Sequence, residues 1–100
     1  MEGGMRIRGD TYWAWADPEL HCRTHSEKLD SGFTIDVQVR LSRLGVTQLF
    51  IGLYGPKGLS LHEEAHTDRP SESMTTALIW GTARARDLAS SVPTRIANHG

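Results

Sequence analysis

The sequence predicts an α+β domain, an antiparallel meander of three to four strands packed on one face by a C-terminal helix. Three observations carry that reading. First, Phe33, Ile35, Val37, Val39 and Leu41 alternate with Thr34, Asp36, Gln38, Arg40 and Ser42, the pattern of a strand with one dry and one wet face. Second, across the short turn Arg43-Leu44-Gly45, a run from Val46 to Tyr54 is apolar on both faces. Leu49, Ile51 and Leu53 share one face, and Val46, Phe50 and Tyr54 the other, as in a central or covered strand. Third, Met74, Ala77, Leu78, Gly81, Ala85, Leu88, Ala89 and Val92 fall within a helical arc of about 120°.

The 100 residues make a single domain, expected to span 1–100 with flexible ends at about 1–9 and 94–100. A chain of this length buries roughly 60–65% of its unfolded surface, enough for one modest core. Eleven Lys and Arg against 12 Asp and Glu give no basic footprint of the kind duplex binding needs. Cys22 is the only cysteine, which excludes an intramolecular disulfide and a cysteine-based zinc cluster. No signal-type apolar core and no membrane-length run is present, so the expected location is cytoplasmic, with no membrane partner.

In chain order, Gly3-Gly4 is a lead-in and Tyr12-Trp13-Ala14-Trp15-Ala16 reads as a short aromatic strand. From Pro18 to Leu29 the periodicity favours a strand or extended segment, with a helix as the alternative. Asp30-Ser31-Gly32 turns the chain into the central hairpin, and Gly55-Pro56-Lys57-Gly58 turns it again. Leu59 and Leu61 then start a strand expected to fade near His66 and to break at Asp68-Arg69-Pro70-Ser71. The last helix is capped by Ser71 or Ser73 and ended by Pro93. Gly81, mid-stripe, implies close approach of helix to sheet.

If residues 18–29 were helical, the order would become α-β-β-β-α. That order resembles the double-stranded-RNA-binding domain in topology. Such domains place basic residues at the start of their last helix, where this chain has Ser71-Glu72-Ser73-Met74-Thr75-Thr76. The resemblance therefore implies no RNA binding.

His62-Glu63-Glu64-Ala65-His66 matches H-E-x-x-H, which on a helix would set two imidazoles on one face for zinc. The stretch is too confined for a stable helix and no third ligand is marked out, so it reads as an edge strand. His21 and His25 repeat the four-residue spacing. Together with His62 and His66 they form a metal site only if the two segments are neighbours. No catalytic residue, metal site or cofactor is assigned, and Cys22 reads as an inert buried thiol.

The chain is therefore expected to be a small, non-enzymatic, bacterial-type accessory or regulatory protein that acts by binding another protein or itself. The interface residues are Val46, Phe50 and Tyr54 on an uncovered sheet face suited to a homodimer, with Trp80 and Arg84 on the helix flank. The alternatives are nucleic-acid binding through a sheet face with Arg6, Arg8, Arg23 and Arg40, disfavoured by net charge, and a histidine metal site.

Overall fold

In the computed structural model, which describes residues 7–69 and 72–91, the chain runs α1 (Asp10–Trp15), β1 (Arg23–Lys28), β2 (Thr34–Leu41), β3 (Thr47–Tyr54), β4 (Ser60–Arg69) and α2 (Met74–Ser91). The strands form one antiparallel sheet in the order β1-β2-β3-β4. This is the expected α+β meander with a C-terminal helix packed on β2 and β3.

Three turns of one design set the register. Each spans three residues, ends in a glycine of positive φ, and closes with the same pair of backbone bonds. The first runs from Leu29 to Phe33, the second from Ser42 to Val46 and the third from Gly55 to Leu59. Gly32, Gly45 and Gly58 hold φ of 94°, 83° and 88°. A type I turn followed by a left-handed residue is a standard three-residue hairpin, and glycine adopts that left-handed step without steric cost.

With register fixed, alternation decides the faces. Phe33, Ile35, Val37, Val39, Leu49, Ile51 and Leu53 form the core with Ala77, Gly81, Ala85 and Ala89 of α2, flanked by Leu29, Met74, Leu78 and Leu88. A Cβ at Gly81 would stand 2.8 Å from a Val37 methyl and 2.9 Å from a Leu49 methyl, so the helix backbone does approach the sheet as its stripe implies. Ser73 accepts the Thr76 N–H at 3.1 Å and is the cap of α2. Leu41 is an exception to the dry face and stays exposed at the strand end. Val92 and Pro93 lie outside the described residues.

Two expectations need correction, and one open alternative is decided. Tyr12 to Trp15 form a helix, not a strand. Helical spacing turns Tyr12 and Trp15, three apart, onto the sheet, where both rings meet Phe50 at 5.2 and 5.6 Å between centroids. Trp13 is left outward, 65% exposed. Residues 23–28 form a strand, as the periodicity of 18–29 favours, and the alternative order α-β-β-β-α does not occur. β4 does not fade at His66 but continues to Arg69, pairing with Thr47 through a register shift.

Candidate functional site

The second sheet face carries an unusual load of buried polar groups. Asp36, Gln38 and Arg40 of β2 are buried there beside Phe50 and Tyr54 of β3. Their partners come from the segment leading into and through α1. The Arg8 guanidinium pairs with the Asp36 carboxylate and donates to the Tyr54 hydroxyl at 3.0 Å. Tyr54 in turn donates to Glu63 of β4 at 2.9 Å. Glu63 also accepts the backbone N–H groups of Gly9 at 2.8 Å and Tyr12 at 3.0 Å. A side chain from β4 thus caps α1, whose own cap position is a glycine without a side-chain bond.

Arg40 donates to the Trp15 carbonyl at 2.6 Å and lies 3.8 Å from the centre of its ring. Gln38 donates to Asp36 at 3.1 Å. Burial raises the Tyr54 pKa, with Glu63 adding to it against the opposing pull of Arg8, so the phenol remains a donor. Glu63 and Arg40 fasten α1 to the sheet, and Arg8 fastens the segment that leads into it. This network is a latch.

The consequence for the expected interface is direct. Phe50 and Tyr54 are 0% exposed, covered by Tyr12, Trp15 and Arg8. Val46 sits half-buried in the second turn. The sheet face expected to form a homodimer is not an open patch, because the segment read as a strand folds over it as a helix.

His62, Glu64 and His66 face the other way, toward α2, since their cross-strand partners are the core residues Leu53, Ile51 and Leu49. Both imidazoles contact the Glu64 carboxylate at 2.8 Å. Arg84 binds the same carboxylate with two donors, at 2.5 and 3.0 Å. Partial burial pushes the Glu64 pKa up, but the bonds from Arg84, His62 and His66 outweigh it and hold the pKa at about 2. The His66 ring meets Trp80 edge-on at 5.4 Å, and the Arg84 guanidinium lies 6.0 Å from the Trp80 ring centre.

The H-E-x-x-H stretch therefore lies on a strand, its histidines turned to a shared carboxylate that an arginine already occupies. β1 and β4 are the two outer strands of the four, so His21 and His25 stand across the sheet from His62 and His66. Among the described residues no group of three or more His, Cys, Asp or Glu is placed to hold a metal ion. Cys22 precedes β1, half-buried, with its thiol pKa raised by burial.

The outward side of α2 is the remaining surface of interest. Thr76, Ile79, Trp80 and Ala83 are all exposed there, at the i, i+3, i+4, i+7 spacing of one helical face. Ile79 is 67% exposed and Trp80 37%. Arg84 bound to Glu64 bounds this stripe on the β4 side, and Arg86 bound to Glu27 at 2.6 Å bounds it on the β1 side. Sequence reasoning marked Trp80 and Arg84 but passed over Ile79, which stands one position outside the inward stripe. Comparison of the chain with protein-family models, curated proteins and solved structures returns no match.

Proposed function

We propose that this is a small non-enzymatic accessory protein that binds another protein through the outward face of α2. The observation that carries the reading is the exposed pair Ile79 and Trp80, set between Thr76 and Ala83 on a helix whose opposite face is already committed to the core. A helix with an apolar stripe on each side has one stripe more than its own domain uses. Tryptophan and arginine are enriched among the residues that dominate binding energy, and Trp80 has Arg84 one turn away.

Affinity capture from the native host tests this, with wild type and an Ile79→Glu/Trp80→Ala double variant compared side by side. Both substitutions are at the surface, so the far-ultraviolet circular dichroism of the variant should match wild type. A protein retained by wild type and lost by the variant is the expected result. Equal capture by both proteins would overturn the assignment, as would nucleic acid as the sole captured species, seen as a high 260/280 absorbance ratio.

A further inference from the structure

We propose that the groove between α2 and β1 receives an extended partner segment rich in aliphatic and acidic side chains. The proposal deepens the docking reading above, on which it rests, by naming the chemistry of the partner. α2 is centred over β2 and β3, and its packing on β1 is slighter. The seam left open is a groove of about 290 Å³ lined by His25, Leu78, Ile79, Thr82 and Arg86. Leu78, packed against the core, and Ile79 give it an apolar lining.

Its rim is basic. The side chains of β1 that face α2 are Arg23, His25 and Glu27, opposite Val39, Val37 and Ile35. Arg23 donates to the Thr75 hydroxyl at 3.0 Å, a bond that does not neutralise its charge. Arg86 shares the Glu27 carboxylate with His25, at 2.6 and 3.1 Å. Two guanidiniums thus face one carboxylate along the seam. Among the described residues no acid pairs with Arg23, so an incoming carboxylate displaces none there. A chain that sets aliphatic side chains on Leu78 and Ile79 and carboxylates on Arg23 and Arg86 matches both features of the groove. A basic segment would meet unopposed like charge at Arg23 and two guanidiniums against one carboxylate along the seam, which supplies selectivity.

Fluorescence anisotropy with two labelled synthetic peptides tests the proposal, one alternating Leu and Glu and the other alternating Leu and Lys. The acidic peptide should bind, weaken as salt rises, and lose at least tenfold in affinity with Arg23→Glu or Arg86→Glu. The lysine peptide should not bind. Trp13→Ala, exposed on α1 across the sheet from the groove, should leave the peptide affinity unchanged. Equal binding of the two peptides, or acidic binding indifferent to both arginine variants, would overturn the groove assignment. Host capture that still depends on Ile79 and Trp80 in that case would leave the docking face standing, so the two readings fail separately.

Discussion

Tyr54 shows how much a single position can require of its neighbours. Its ring folds back over Gly52, two residues earlier on the same sheet face. A Cβ at Gly52 would stand 2.6 Å from the hydroxyl and 2.8 Å from a ring carbon. That hydroxyl is pinned by Arg8 and Glu63, so the ring has nowhere to retreat. Gly52→Ala should therefore destabilise by about 1–3 kcal/mol, the usual cost of overpacking. Gly81→Leu should cost at least as much, because its neighbours Val37 and Leu49 are core side chains. Thermal melts check both, each expected to shift downward by several degrees or more. Gly81 was legible in the sequence because it interrupts an apolar helical stripe. The close approach at Gly52 was not legible, since nothing in a strand pattern says which ring will lie across a glycine.

At the scale of elements, each helix is tied to β4 by a glutamate, and the two glutamates are adjacent in sequence. Glu63 faces one way and caps α1, while Glu64 faces the other and binds Arg84 of α2. Strand alternation alone sends neighbouring carboxylates to opposite layers. β2, β3, β4 and α2 were readable because their periodicities run over 8 to 18 residues, while the six of β1 left a helix open as the alternative. α1 was not, because its six residues are too few to separate a period of 2 from one of 3.6, and the alternation of Tyr12, Trp13, Ala14 and Trp15 imitates a strand. The i, i+3 spacing of Tyr12 and Trp15 was the available signal. The tie to α2 has a pH signature. Glu64 titrates at about 2 in the fold against an ordinary 4.5. A carboxyl with a depressed folded pKa contributes stability that is fully present above its unfolded pKa and lost as pH falls through the folded one. Denaturant melts of wild type and Glu64→Gln should therefore differ most above pH 4.5 and converge as pH falls toward 2. A gap that stays constant across that window would mean that Glu64 contributes by shape and not by charge.

For the molecule as a whole, the decisive feature is that both faces of the sheet are covered, α2 on one side and α1 with Arg8 on the other. A four-stranded sheet with one covered face would need a partner to hide Phe50. Here the chain supplies its own cover, and the association surface proposed above lies on α2 and not on the sheet. Two charge substitutions separate these arrangements. Phe50→Glu places a carboxylate at a fully buried site between Tyr12 and Trp15, and should destabilise by about 4 kcal/mol or more, the range reserved for buried unpaired charge and core disruption. Against a total of roughly 5–15 kcal/mol for a domain of this kind, that brings the fold close to collapse. Ile79→Glu, at an exposed site, should change stability by no more than about 0.5 kcal/mol. Sedimentation at micromolar concentration, run beside thermal melts, reads both. If Phe50→Glu were instead a well-folded species of smaller mass than wild type, the sheet face would be an interface between copies and α1 would not be its cover. If Ile79→Glu alone lowered the sedimenting mass, the partner of the α2 face would be a second copy of this chain.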